Sequence, residues 1–293
     1  MEATFRFRDT RGAGVAAVVV SLTGFSFGFI LAKSIALPAP IIAMWRLAIG
    51  GGSLALLALV LRVKWPRAYR ELFVAGIAFG VHQILYISAV QSTSVAIVAL
   101  VGATQPLLVA AVSQRTVNER VPRGVYYGGV LAIAGVAVVV LASLDTSSRS
   151  LHGDILAVVN LIVVTVYLLA SKRARLIGDP TLTLTASVFG LAFLVVTPLA
   201  LYLGLETPAG DDWNYLLLLA LASGNCHLLL NWAHRKVSVA LTALILSALP
   251  ILAAVWAHLF LGEPFGWLHV VGIVLVVAAI ELGRRADSAA ASG

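Results

Sequence analysis

Seven side chains in two apolar stretches of this chain have the chemistry of a binding site for a small solute. Helical spacing puts most members of each group on one face, at steps of three, four or seven residues. Together they offer aromatic rings, imidazoles, carboxamides and a hydroxyl, which suit a zwitterionic solute with an apolar or aromatic side chain. The first group is Phe79, His82, Gln83 and Tyr86, and the second is Ser223, His227 and Asn231.

Polar groups in such surroundings have two possible roles. In hydrocarbon a polar side chain costs free energy unless it is paired or faces water, so it either lines a wet cavity or hydrogen-bonds between packed helices. A bond of the second kind contributes about 1–2 kcal/mol or less. Because His82 and His227 fall at nearly the same depth in their helices, we expect a cavity. Gln105 and Trp256 are further candidates for its lining, although Trp256 equally suits a packing or lipid-facing ring.

Pro106 and Pro250 fall in the middle of two other apolar stretches. Proline lacks the N–H that a continuous helix needs, so each residue frees the carbonyl four positions earlier, on Gly102 and Leu246 respectively. We expect a kink at each proline that serves as a hinge for gating or exposes backbone oxygen to a solute. A static kink that only shapes the packing is the alternative.

The elements that must position these residues are membrane-spanning helices. Of the 293 residues, 60% are hydrophobic and only 11% are charged, and the mean hydropathy is +1.00. A water-soluble protein of this length has too little interior to hide that much apolar surface. A helix that crosses a bilayer needs about 20 mainly apolar residues. Ten such runs stand between the charged residues, at about 12–35, 41–61, 72–90, 94–114, 124–144, 154–171, 181–204, 213–233, 237–261 and 265–283.

The distribution of charge indicates the orientation of these spans. Of the 20 Lys and Arg residues, 17 fall in the two terminal segments and in alternate connections. By the positive-inside rule, both termini are then cytoplasmic and the protein is a multi-pass protein of the cell's inner membrane. This clustering also accounts for the net charge of +7 without nucleic acid. The acidic residues that collect on the opposite face are Asp145, Glu206, Asp211, Asp212 and Glu263.

A sequence pattern recurs 144 residues further along the chain. Between Ser94 and Glu119, nine of 26 positions are identical to the residue 144 positions later, Pro106 among them. A match in one register indicates a tandem duplication, with five-helix units at 12–144 and 152–285. Because five is odd, the second unit enters the membrane upside down. The expected fold is therefore an all-α integral membrane protein of ten transmembrane helices in a 5+5 inverted repeat.

Several motifs resemble those of the drug/metabolite transporter superfamily, in its EamA-like branch. The resemblance extends from about Gly12 to Arg285, and the likeness within the branch is to bacterial exporters of amino acids, aromatic ones included, and related metabolites. It implies a transporter that works by alternating access. The motifs are TSVAIVALVGATQPLLVAAVSQRTVNER, its echo VSVALTALILSALPILAAVWAHLFLGEP, His152-Gly153-Asp154 at the start of the sixth span, and Arg46 inside the second.

We therefore expect export of neutral or aromatic amino acids and related small metabolites, by facilitated diffusion or exchange. Small proton-driven relatives resemble a design with a carboxylate deep in the first helix, where this chain has only Ser21, Thr23 and Ser26. Proton-coupled efflux of drugs or cations is the alternative, with a histidine to carry the proton. We expect Arg46 to neutralise a helix end or a carboxylate rather than to bind substrate.

An integral membrane enzyme is the rival from another class, and the sequence disfavours it. The chain has no H-E-x-x-H motif and no nucleophile motif, and the charged rings typical of a channel are missing as well. We expect no catalytic residue, no metal and no cofactor. The expected partners are a small-molecule substrate and the lipid bilayer, without nucleic acid, and a monomer is compatible with this architecture.

Overall fold

The regular structure is entirely helical over the residues that the computed structural model describes, which are 11–93, 95–142, 150–261 and 265–292. The helices are α1 (Arg11–Ser34), α2 (Ala39–Val60), α3 (Tyr69–Ser92), α4 (Val95–Ala103), α5 (Gln105–Val117), α6 (Arg123–Ala142), α7 (Leu151–Ile177), α8 (Thr181–Tyr202), α9 (Asp212–Leu217), a π-helical segment (Leu218–Gly224), α10 (Cys226–Ala233), α11 (Val239–Leu246), α12 (Leu249–Leu261) and α13 (Trp267–Ser292). Ser94, Asp145 and Glu263 lie outside the described residues.

Ten segments of the described chain are long and apolar enough to cross a membrane. Seven of these spans are single helices, and three are composite. Helices α4 and α5 form the fourth span, α9, the π-helical segment and α10 form the eighth, and α11 and α12 form the ninth. The predicted fold class and number of spans are therefore confirmed.

The ends of the helices follow from local sequence. The hydroxyl groups of Ser150 and Ser238 accept hydrogen bonds from backbone N–H groups three residues later, which caps α7 and α11. Helix α5 ends at Asn118 (φ 55°) and α7 ends at Gly178 (φ 103°), both in the left-handed conformation that these two residue types tolerate best. These caps fix where the fourth, sixth and ninth spans begin or end.

Small residues allow the fifth and tenth spans, α6 and α13, to approach each other closely. A Cβ placed on Gly128 would lie 2.7 Å from the carbonyl oxygen of Ala279, and one on Gly272 would lie 2.6 Å from that of Gly135. No side chain fits in either place without displacing backbone. Because Gly128 and Gly272 stand 144 residues apart, both halves of the chain contribute equivalent residues to one interface.

The beginning of α1 and the end of α13 meet on one side of the molecule, where the Arg11 guanidinium donates to the Asp287 carboxylate. We call this side the terminus side. The connection between α7 and α8 lies there too, and its Asp179 carboxylate accepts hydrogen bonds from the backbone N–H groups of Arg67 and Ala68, both at 2.9 Å. An even number of spans requires both ends of the described chain to lie on the same side.

Candidate functional site

A cavity of about 140 Å³ lies within the bundle, between the first, second, third, fourth, sixth, eighth and ninth spans. A void of about this size is large enough to hold benzene in other proteins. The sequence-predicted residues that line it are His82, Gln83, Tyr86, Gln105, Ser223, His227 and Pro250. These residues come from both halves of the chain, so the cavity lies between the halves.

Regular α-helical hydrogen bonding stops just before each proline, over Thr104 in one span and over Ser247 and Ala248 in the other, although Thr104 and Ser247 keep right-handed helical backbone angles. Helix α4 ends at Ala103 and α5 begins at Gln105, while α11 ends at Leu246 and α12 begins at Leu249. Proline fits the first turn of a helix because the N–H that it lacks has no partner there, so Pro106 begins a new helix at lower cost than it would bend an old one.

Both interruptions lie at the cavity. Gly102, Ala103 and Gln105 line it from the first break. Leu246 and Ser247 line it from the second. Within a membrane, backbone groups without helical hydrogen bonds are tolerated where protein buries them or where they line a water-filled space. Gly102 and Leu246, whose carbonyls the prolines leave without the usual helical N–H partner, are both residues of the wall.

Arg46 is a lining residue that the sequence expectation excluded. Only 5% of the residue is exposed, and its guanidinium donates to the Gln83 side-chain oxygen at 2.5 Å. It forms no ion pair with a carboxylate among the described residues. The described residues therefore give Arg46 a neutral amide in the cavity wall as its partner, and not the carboxylate that the sequence suggested.

Two further polar pairs connect the third and eighth spans to α7. The His82 Nδ1 atom lies 2.6 Å from the Asn160 side-chain oxygen, so that nitrogen carries the proton. The Tyr167 hydroxyl lies 3.1 Å from His227 Nδ1. Both Asn160 and Tyr167 line the cavity and were missed in the sequence. Their spacing of seven residues, two helical turns within an apolar helix, was the signal that pointed to them.

Aromatic rings form the wall behind these polar groups. Phe79 is 1% exposed and does not line the cavity, and its ring centroid lies 4.7 Å from that of His227 and 4.6 Å from that of Tyr167. The Phe25 ring centroid lies 4.5 Å from that of the same His227. Phe79 therefore orients the rings that line the cavity, while Phe25 reaches it directly.

Besides Phe79, three predicted residues do not line the cavity. Asn231 is fully buried and donates to the Thr185 hydroxyl at 3.1 Å. The Trp256 Nε1 group donates to the Ser26 hydroxyl at 2.8 Å, which ties α12 to α1. Pro106 is buried beside the cavity without lining it. In this conformation these three side chains pack helices together.

The terminus side of the bundle is closed by a group of residues that we call the clasp, namely Glu119, Lys172, Val237 and Val239. One Glu119 oxygen accepts from the backbone N–H of Val239 at 2.8 Å, at the first turn of α11, and the other lies 2.6 Å from the Lys172 ammonium group. Lys172 also donates to the Val237 carbonyl at 2.9 Å and to the His234 carbonyl. The clasp therefore joins three spans from both halves of the chain.

A column of buried polar side chains lies next to the clasp, on α7 and at the end of the eighth span. It consists of Ser171, Arg175, Asn231 and His234. Arg175 donates to the Asn231 carbonyl at 3.2 Å, yet each of the four residues has at least one buried polar atom without a hydrogen-bond partner. Burial, with Lys172 and Arg175 nearby, lowers the pKa of His234 to about 3. So many unsatisfied groups are unusual in a permanently packed interior.

Comparison with known proteins agrees with this geometry. The profile of the EamA-like transporter family matches residues 12–141 and again residues 151–282. The chain is 27% identical over 288 residues to the pseudopaline exporter CntI of Pseudomonas aeruginosa, which covers 94% of this chain and 98% of that protein. It is 27% identical over 186 residues to the uncharacterized transporter YetK of Bacillus subtilis, covering 60% of this chain and only 56% of that protein. A solved crystal structure with 18% sequence identity superposes with a TM-score of 0.78 over 94% of this chain and 98% of its own.

Proposed function

Because this chain belongs to the EamA-like transporter family and is a membrane transporter, we propose that it exports neutral and aromatic amino acids and related small metabolites. The observation that carries the proposal is the cavity between the two halves, which combines paired polar groups with aromatic rings. An amino acid requires both, since its charged ends need hydrogen bonds and its side chain needs an apolar wall. A relative that aligns with nearly the whole chain is itself named an exporter, which supports export as the direction of transport.

Alternating access is the mechanism that we propose for this export. The units 12–144 and 152–285 are then two inverted repeats that move against each other around the cavity, although residue 144 lies outside the described part of the chain. The double match to one family profile, the paired helix breaks and the shared glycine interface all support this arrangement. On this mechanism, the clasp is the contact that holds the terminus side closed, since it joins spans from both halves.

We further propose that the transport is facilitative. The described residues that line the cavity include no Asp or Glu, so no carboxylate is available there to exchange a proton for a cation. This composition also disfavours cationic drugs as substrates, since a cation inside a membrane requires a carboxylate or an aromatic cage. Membership of a transporter family agrees with the expectation that the chain is not an enzyme. On this proposal the terminus side faces the cytoplasm of a cell's inner membrane.

Counterflow in liposomes tests the proposal. Purified protein is reconstituted, loaded with one unlabelled solute and offered the labelled form of the same solute, across a panel of amino acids, sugars and quaternary amines. We expect exchange of phenylalanine, leucine and similar amino acids without an imposed proton gradient. Exchange that requires a pH difference would show that the transport is coupled, and exchange of quaternary amines alone would show that amino acids are the wrong substrate class.

A further inference from the structure

Arg46 carries a permanent charge inside the bundle and has no charged partner in the part of the chain that the structure describes. A guanidinium stays protonated in proteins, and burying a charge is costly unless it is paired. Among the described residues, the Gln83 side-chain oxygen is the one acceptor that Arg46 meets, so one of its five N–H donors is satisfied. Because the residue lines the cavity, its remaining donors are available to a solute there.

Gln83 provides a second, independent sign of a missing ligand. The residue is fully buried and lines the cavity, and its side-chain Nε2 group has no hydrogen-bond partner. The Arg46 guanidinium fixes the orientation of this amide, since only its oxygen can accept from a donor. The NH₂ group is therefore a buried donor that the described residues leave without an acceptor.

We propose that Arg46 and Gln83 together bind the carboxylate of the transported solute. A carboxylate has two acceptor oxygens, and a guanidinium with a neighbouring amide NH₂ presents donors to both. The inference rests on the proposed function, because it takes the cavity as the place where the solute binds. It goes further by requiring that every good substrate carry a carboxylate.

The rest of the cavity suits the remainder of such a solute. The rings of Phe25, Phe29 and Tyr86 offer an apolar face to its side chain. Backbone carbonyls beside the helix breaks and the neutral side chains of the wall accept hydrogen bonds from its ammonium group. An amine without a carboxylate would leave Arg46 unpaired and would be repelled by its charge.

The test compares three ligands that share one phenyl side chain. These are L-phenylalanine, L-phenylalaninamide, which lacks the carboxylate, and 3-phenylpropanoate, which lacks the ammonium group. Binding is measured as the ligand-induced rise in the unfolding temperature of the purified full-length protein, and transport is measured by counterflow. We expect the amide to bind at least about tenfold more weakly than phenylalanine, the size of a lost hydrogen bond to a charged group.

Two substitutions test the proposed carboxylate receptor, by which we mean Arg46 and Gln83 together. Arg46→Gln should weaken the binding of phenylalanine about tenfold or more. It should not weaken the binding of the amide, and it should strengthen that binding to the extent that the Arg46 charge repels the ammonium group. Gln83→Glu is the second test, in case Arg46→Gln fails to fold. It keeps the shape of the side chain at position 83 and supplies a carboxylate that pairs with Arg46 inside the protein. It should yield a stable protein that no longer distinguishes phenylalanine from its amide. Arg70→Gln, at an exposed arginine outside the cavity, is the matched control and should bind both ligands as the unmodified protein does.

The outcomes separate this inference from the proposed function. Equal binding of phenylalanine and its amide by the unmodified protein would overturn the carboxylate receptor and leave amino-acid transport standing. Binding of 3-phenylpropanoate that depends on Arg46, without binding or counterflow of any amino acid, would support the receptor and overturn amino-acid export. Loss of discrimination in Arg46→Gln and Gln83→Glu, but not in Arg70→Gln, would support both.

Discussion

His82 and His227 each have a hydrogen-bond partner on the sixth span, at a distance of 2.6 Å to Asn160 and 3.1 Å to Tyr167. These bonds fix the orientation of both imidazole rings at the cavity. They leave the Nε2 atom of each ring as the group that can meet a solute. At the scale of single residues, the site is therefore oriented before a solute arrives, which lowers the entropic cost of binding.

We predict that His82→Ala and His227→Ala each reduce counterflow of phenylalanine about three- to tenfold, the value of one neutral hydrogen bond. The unfolding temperature should fall only slightly, since each change removes one buried side chain of moderate size. His152→Ala is the matched control, because His152 is exposed and lies outside the cavity. Undiminished counterflow in both cavity variants would assign these histidines to helix packing.

Sequence alone could identify polar residues at membrane depth but could not pair them. His82, Gln83, Ser223 and His227 stood out because polar side chains are rare in apolar runs, and all four line the cavity. Their partners come from other spans, and Arg46 lies 37 residues before Gln83 in the chain. Such pairings depend on how the helices pack, which hydropathy does not encode.

At the scale of helices, hydropathy and charge predicted ten spans because length and apolarity are properties of local sequence. The breaks at Pro106 and Pro250 were predicted only as kinks. Local sequence shows that proline disrupts a helix, but whether a helix bends or restarts depends on what can bury or solvate the freed backbone. Here the cavity lies beside both breaks.

The clasp provides the prediction for this scale. In Glu119→Gln the Lys172 ammonium group loses its only carboxylate partner among the described residues, although it stays buried. An uncompensated buried charge destabilises the closed arrangement. We therefore expect the terminus side to open more often, by about tenfold for each 1.4 kcal/mol lost.

A cysteine in the buried column measures this opening. Ser171→Cys is introduced together with Cys226→Ser, which removes the single native cysteine. A membrane-impermeant thiol reagent added on the terminus side should label Cys at this position about tenfold faster in the Glu119→Gln background. Glu281→Gln is the control, since Glu281 pairs with arginines of its own helix at the surface. Equal labelling rates in all three backgrounds would mean that the clasp does not control access.

At the scale of the whole molecule, the two halves meet at the cavity and at the interface of α6 with α13. The cavity receives residues from both halves and from the breaks in the equivalent fourth and ninth spans, and the α6–α13 interface uses Gly128 and its counterpart Gly272. A pseudo-twofold axis in the membrane plane would pass through both of these places. Two halves related in this way have two conformations of similar free energy, which alternating access requires.

The glycine interface tests this relation. A Cβ on Gly128 would approach a carbonyl oxygen of α13 to 2.7 Å, and one on Gly272 would approach Val139 and the Gly135 carbonyl of α6 to 2.3 and 2.6 Å. Gly128→Ala and Gly272→Ala should therefore both separate α6 from α13 and lower the unfolding temperature by similar amounts. Overpacking of this kind costs about 1–3 kcal/mol.

Gly52→Ala in α2 is the matched control, because a Cβ there would meet nothing within 4 Å. Alanine is the better helix former by about 1 kcal/mol, so this variant should be as stable as the unmodified protein or slightly more stable. Thermal unfolding in detergent and counterflow in liposomes are measured for all three variants. If Gly128→Ala destabilises the protein while Gly272→Ala does not, the two positions are not equivalent and the pseudo-twofold relation between the halves fails at this interface.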